Sequence, residues 1–100
     1  MKPLPKRIKP LKFDWDEGNK QKNYQRHKVT YKECEEIFFN KPLINNLDEK
    51  HSQYEKRFRS LGKTNINRRL LISYTIRNQK VRIISARDQN KKERRIYEKA

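Results

Sequence analysis

Residues 68–87, RRLLISYTIRNQKVRIISAR, set two apolar runs on either side of a four-residue polar break. The runs around Leu70–Ile76 and Val81–Ala86 are rich in the β-branched and aromatic side chains that suit a pleated, half-buried surface. RRLLISYTI is the strongest strand signal in the chain. The break RNQK, 77–80, is too short for a crossover helix, so the two strands are antiparallel neighbours. The fold has to be built around this hairpin, and two arginines complicate it. Arg82 is set into the second run and Arg87 stands just after it. A guanidinium beside a core costs desolvation unless an anion pairs with it. If that anion is a substrate phosphate, both arginines are poorly compensated in the free protein. If it is a carboxylate of the chain, they are structural.

The rest of the chain can be read around the hairpin. LKFDWD, 11–16, alternates Leu11, Phe13 and Trp15 with Lys12, Asp14 and Asp16, the period of a strand with one buried face. Gly18 and Asn19 break it, and KQKNYQRH, 20–27, reads as a short polar helix. Thr30 is placed to cap the next helix, with Glu33 three residues on and Val29 and Cys34 forming a hydrophobic staple. Tyr31, Cys34, Ile37 and Phe38 share a face of it, and Pro42 ends its reach. PLINNL is a short edge strand, LDEKHSQ a loop, YEKRFRSLG a strand around Phe58, and TNIN, 64–67, a hairpin turn. Asp88 or Asn90 caps a last helix through about Glu98, with Ile96 and Tyr97 facing in and Glu93 early, where its charge suits the dipole. The order predicts an α+β fold: a small antiparallel meander with helices packed on one face. Residues 1–12, with three prolines, five basic residues and no acid, read as a flexible basic arm. Residues 13–100 read as a single domain.

Charge narrows the function. The net charge is +15 and apolar residues are 32% of the chain, so a small core carries a surface that attracts polyanions, nucleic acid above all. No run of about 18 apolar residues is present to span a bilayer, and the basic start lacks the apolar stretch of a secretory signal; a cytoplasmic protein is expected. Cys34 is alone, so there is no disulfide framework. No metal-ligand spacing and no Gly-rich phosphate loop appear, and no cofactor is expected. Alternation puts Arg57 and Arg59 on the face opposite Phe58. Strict alternation likewise puts Arg82 with Ile84 and Ala86, and Ser85 with Arg87 on the other side. With Tyr74 in the neighbouring strand this is a cationic, partly aromatic surface, or else a ladder of solvated salt bridges to Glu35, Glu36 or Glu55. A ribonuclease and a non-enzymatic RNA-binding module of ribosomal-protein type both fit the charge. A DNA-binding regulator fits less well, since no helix-turn-helix is apparent.

A set of ordered motifs separates these readings. FDWD, N-x-x-R-H-x-V-T, FF, D-x-x-H-S, E-x-R, R-x-L-x-x-x-Y-T, VRIISAR and ERRIY follow one another from about Phe13 to Tyr97. In this the chain resembles the BrnT toxin family of bacterial type II toxin–antitoxin systems. The resemblance implies a RelE-like ribonuclease fold, RNA as the substrate, and toxicity through RNA cleavage and translation arrest. It also implies a cognate BrnA-like ribbon-helix-helix antitoxin, with which the toxin assembles as a heterotetramer and represses its own operon; operator DNA is reached only through the antitoxin. The family commonly has Gly after the histidine, where this chain has Lys28.

Metal-free RNA cleavage needs a base, an acid and a cation over the phosphorane. Arg82 and Arg87 are expected to supply the cation bidentately. His27 is the natural base or acid, Glu55 the rival base, and His51 of D-x-x-H-S a minor candidate. Arg57, Arg59, Arg77 and Ser85 are expected to bind RNA, with Tyr74 stacking a base. Trp15 and Cys34 are assigned to the core.

Overall fold

The computed structural model describes residues 11–100, so most of the expected basic arm lies outside the described residues. Leu11 packs on the core and the Lys12 carbonyl accepts from the Val81 N–H at 2.8 Å, so the fold already includes these two residues. LKFDWD does not form a full strand. It makes one parallel bridge, Phe13 to Val81, along an outer edge of the sheet.

Helices α1 (Glu17–His27) and α2 (Tyr31–Glu36) are each set by a capping box, Asp16 with Asn19 and Thr30 with Glu33. Val29 and Cys34, the expected staple, are fully buried together. The sheet is the expected meander in the order β1-β2-β3-β4: β1 (Ile44–Leu47), β2 (Arg57–Lys63), β3 (Arg69–Arg77) and β4 (Lys80–Asp88). The β3–β4 turn takes positive φ at both Asn78 and Gln79, the primed geometry whose twist matches a tight hairpin. Helix α3 (Lys91–Glu98) starts at Asn90, with Glu93 completing a third capping box.

The two faces of the sheet carry different chemistry. One face packs Leu70, Ile72, Tyr74, Val81, Ile83 and Ala86 under α1 and α2. Asn19 and Asn23 stitch α1 to β4: the Asn23 Oδ1 accepts from the Ala86 N–H at 3.0 Å, and the Asn19 amide donates to the Ile83 carbonyl. At Gly62 a Cβ would stand 2.9 Å from the Ile37 Cβ, so only glycine lets β2 lie this close to the end of α2. The fold is therefore α+β with α1 and α2 on one face, as expected, while α3 crosses to the other. There Tyr97 packs on Leu61 and Leu71, and its hydroxyl donates to the Pro42 carbonyl at 2.6 Å. Ile96 does not face in; it is half exposed.

Lys28 ends α1 in the left-handed region, at φ 55° and ψ 37°, with its N–H donating back to the carbonyls of Asn23 and Tyr24. The backbone thus keeps a conformation that glycine adopts freely and lysine adopts at a cost of about 1–2 kcal/mol. Glycine's greater freedom in the unfolded chain offsets part of that cost. Lys28→Gly is expected to gain about 0.5–1 kcal/mol and to raise Tm by a few degrees in a thermal melt. An unchanged or lower Tm would show that the strain is relieved elsewhere.

Candidate active site

A β-bulge decides which arginines face together. β3 and β4 pair as Thr75 with Arg82, Ser73 with Ser85 and Leu71 with Arg87, with the register slipping between Ser73 and Tyr74. Ile84 is the extra residue, and one extra residue reverses the alternation beyond it. Arg82, Ser85 and Arg87 therefore share one face, where strict alternation had separated Arg82 from the other two. Two rungs cross this face. Arg57, Thr75 and Arg82 form one; Asn46, Arg59, Ser73 and Ser85 form the next. Leu61 and Leu71 form a third, covered by Tyr97 of α3.

Three of the expected site residues do not join this arrangement as anticipated. Tyr74 is fully buried, its ring stacked on Phe58 at 5.3 Å and its hydroxyl donating to Asn45 Oδ1 at 2.6 Å. Burial pushes its hydroxyl pKa up to about 12. It is a core residue and cannot stack a base. His27 stands exposed at the far end of α1 from Asp16, beside Asp88; eleven helical residues separate the two ends by about 15 Å. Arg87 holds Glu93 bidentately, at 2.8 and 2.9 Å, in a groove against α3. Arg59 reaches the same carboxylate at 3.8 Å.

The expectation that Arg82 and Arg87 are uncompensated in the free protein is also overturned. Arg82 donates to Asp16 at 2.8 Å and lies 3.5 Å from Asp14. The reason is the FDWD segment, whose bridge to β4 brings both carboxylates over the sheet edge. The backbone N–H of Asn19 first, and then Arg82, hold the Asp16 carboxyl below the ordinary carboxylate range.

What the structure does gather is Glu55, Arg57 and Arg77 with His51. These four line one cavity of about 480 Å³ together with Lys50 and Tyr54. Glu55, Arg57 and Arg77 also line an adjoining cavity of about 440 Å³ that holds Arg82 and Lys22. The local geometry follows from D-x-x-H-S. Asp48 Oδ2 lies 2.9 Å from His51 Nδ1, and the Ser52 hydroxyl donates to the Asp48 carbonyl while accepting from the Arg57 N–H at 3.0 Å. The motif is thus a turn that ties the imidazole to the start of β2. Its signal was present in the sequence; only the distance to Arg57 was not. Arg77 grips Glu55 at 2.8 and 3.1 Å and holds its carboxyl below the ordinary range. Among the described residues no ion pair engages Arg57.

Two further groups are settled as structural. Burial pushes the Cys34 thiol up to about 12, which removes it as a nucleophile at neutral pH. Trp15 packs against the main core and donates from its indole to Glu35 at 2.7 Å.

The carboxylates of this surface are coupled to stability. Asp16, Glu55, Asp88 and Glu93 all have folded pKa values lowered by hydrogen bonds, with arginine partners at each. A carboxyl with a depressed folded pKa stabilises above its unfolded value and loses that contribution as pH falls through the folded one. Tm is expected to be nearly flat between pH 7 and 5 and to fall progressively below about pH 4.5, where protonation also raises the net charge. A Tm that held from pH 5 to 3 would show that these pairs contribute nothing.

No curated protein matches the chain. A family model does, over residues 15–93, and its description reads ribonuclease toxin, BrnT, of type II toxin–antitoxin system. The matched span runs from Trp15, through the D-x-x-H-S turn and both arginine rungs, to Glu93 on α3, so the sheet face and its cavities all lie inside it, and the chain belongs to the BrnT family of ribonuclease toxins.

Proposed function

We propose that the chain cleaves RNA without a metal ion, in the cavity where His51, Glu55, Arg57 and Arg77 meet. The single observation that carries this reading is the Asp48–His51 pair opening onto an arginine-lined cavity whose Arg57 has no ion-pair partner among the described residues. A base takes the proton of a ribose 2′-hydroxyl; the O2′–P bond forms as the P–O5′ bond breaks; an acid returns a proton to the departing 5′ oxygen. The products are a 2′,3′-cyclic phosphate and a 5′-hydroxyl. Asp48 holds His51 by Nδ1, which leaves Nε2 for proton transfer. Glu55, kept ionised by Arg77, is the second proton-transfer group. Arg57 and Arg82 stabilise the phosphorane, with Arg77 positioning Glu55. Arg59 and Ser85 on the next rung take the flanking RNA backbone. The cations Lys50, Arg57 and Arg77 around the cavity repel a divalent metal, which favours the metal-free scheme.

The family's antitoxin completes the reading. A ribbon-helix-helix protein covering the cationic face blocks RNA, assembles with the toxin as a heterotetramer, and carries the pair to operator DNA for autorepression.

Toxin freed of antitoxin is expected to cut single-stranded RNA in EDTA and to leave 2′,3′-cyclic ends, read by mass spectrometry of the fragments. Cleavage abolished by chelation and restored by a divalent cation would sink the scheme. The pH profile assigns the base. Because Arg77 lowers the Glu55 pKa, a Glu55 base keeps activity down to below about pH 4.5. An acid limb above pH 5 removes Glu55 from that role.

A further inference from the structure

Across the sheet from the arginine rungs, α1 and the start of α2 leave a cleft of about 290 Å³ that the cleavage reading does not use. Its walls are Tyr24 and Tyr31, 50% and 37% exposed, and neither belongs to the two core clusters. Tyr31 meets Trp15 in an edge-to-face contact, at 5.9 Å between centroids. Lys20 Nζ stands 4.5 Å from the Tyr31 ring centre, and Lys28 Nζ 5.2 Å from that of Tyr24. Gln25 and Gln21, whose amide donates to Glu17 at 3.3 Å, also line the cleft. Among the described residues no lysine is engaged in an ion pair. Two exposed rings, each with an ammonium group over it that no carboxylate pairs among the described residues, make an apolar slot in a cationic surface.

We propose that this cleft is a second RNA contact, which stacks one base of a single strand on Tyr24 and Tyr31. A nucleobase has a flat apolar face and a polar edge. The tyrosines match the face, the two glutamine amides match the edge, and Lys20 and Lys28 take the flanking phosphates. An acidic peptide would use the lysines but has no use for two flat rings. The contact anchors long RNA on the helical side of the protein while the cavity on the other side cuts. It rests on the reading that RNA is the substrate.

The test uses the full chain, free of antitoxin, and a fluorescein-labelled 2′-O-methyl oligonucleotide that cannot be cleaved through its 2′ position. By anisotropy, Tyr24→Ala and Tyr31→Ala are each expected to bind it roughly 5- to 150-fold more weakly, the range for losing one stacked base. Tyr→Phe at either position keeps the ring and restores binding, while cleavage of a dinucleotide, too short to reach the cleft, stays at the wild-type rate. A probe carrying 5-iodouridine should photocrosslink to Tyr24 or Tyr31 in the unmodified protein, a readout that stands even if an alanine variant unfolds. Alanine variants binding as wild type, or crosslinks found only on the arginine face, overturn the proposal. So does a wild-type protein that ignores the oligonucleotide and binds a polyglutamate peptide. RNA bound through the tyrosines but never cut leaves this contact standing and removes the ribonuclease reading of this chain.

Discussion

Arg57→Ala is expected to lower RNA cleavage by 10²- to 10³-fold and to relieve toxicity in a growth assay, with Tm shifted by no more than about 2–3 °C. The activity loss follows from removing one well-placed donor from a phosphorane, about 3–4 kcal/mol. The small stability cost follows from the absence of an ion pair to Arg57 among the described residues; a surface truncation that strands no charge stays within about 0.5 kcal/mol. Arg57→Lys should recover little, because a point charge does not reproduce the planar fork. The neighbouring arginines set a graded comparison. Arg82→Ala frees Asp14 and Asp16, whose side chains are well exposed, and should fold normally. Arg87→Ala frees Glu93, whose side chain is only 15% exposed, and should cost more stability than either. Single-turnover cleavage measured beside thermal melts decides the matter. A fully active Arg57→Ala would take this residue out of the chemistry and return the phosphorane to Arg82 alone.

Arg68→Ala is expected to have the largest effect on folding, about 2–3 kcal/mol, or a Tm lower by roughly 10–20 °C. Arg68 donates to Asp88 at 2.7 and 3.1 Å, to both Glu33 oxygens at 3.1 and 3.2 Å, and to the carbonyls of Lys28 and His27 at 2.8 and 3.1 Å. One guanidinium thus joins the end of α1, the capping box of α2 and the end of β4. Its pKa is raised further, first by the hydrogen bond to Asp88. Truncation leaves a largely covered Glu33 carboxylate and two helix-end carbonyls without this donor. The arginine side chain is itself a quarter exposed, so water recovers part of the loss, and the figure sits below that for a fully buried pair. Arg68→Lys, lacking the fork, should recover less than half. Cleavage per folded molecule should be unchanged. A variant melting like the wild type would show that the three elements are held by packing alone.

Legibility tracked the range of the interaction. The capping box at Thr30 spans three residues and is readable, because side chain and backbone partner lie within one helical turn; for the last helix the sequence leaves Asp88 and Asn90 as alternatives, and the structure selects Asn90 with Glu93. The β3–β4 hairpin and the edge position of β1 were readable from apolar runs and short turns. LKFDWD alternates like a strand, but only Phe13 finds a bridging partner on β4. Glu55, Arg57 and Arg77 lie near or within strands whose alternation the sequence shows, but the pairing of Arg77 with Glu55 is a contact across strands that it does not show. Residue type and motif favour His27 over His51, and neither sets a distance across the fold.

The sequence by itself determined the order from the first helix to the last, the cationic character, the inert core role of Cys34 and the motifs that mark the family, since each depends on composition, period or short spacing. Only the tertiary structure decided which cations stand together and which carboxylates neutralise them. The Ile84 bulge turned Arg82 onto the face of Ser85 and Arg87, and the folding back of Asp14 and Asp16 supplied Arg82 with partners 68 and 66 residues away in the chain. A one-residue slip reverses every side chain beyond it, and no local pattern announces where the slip falls.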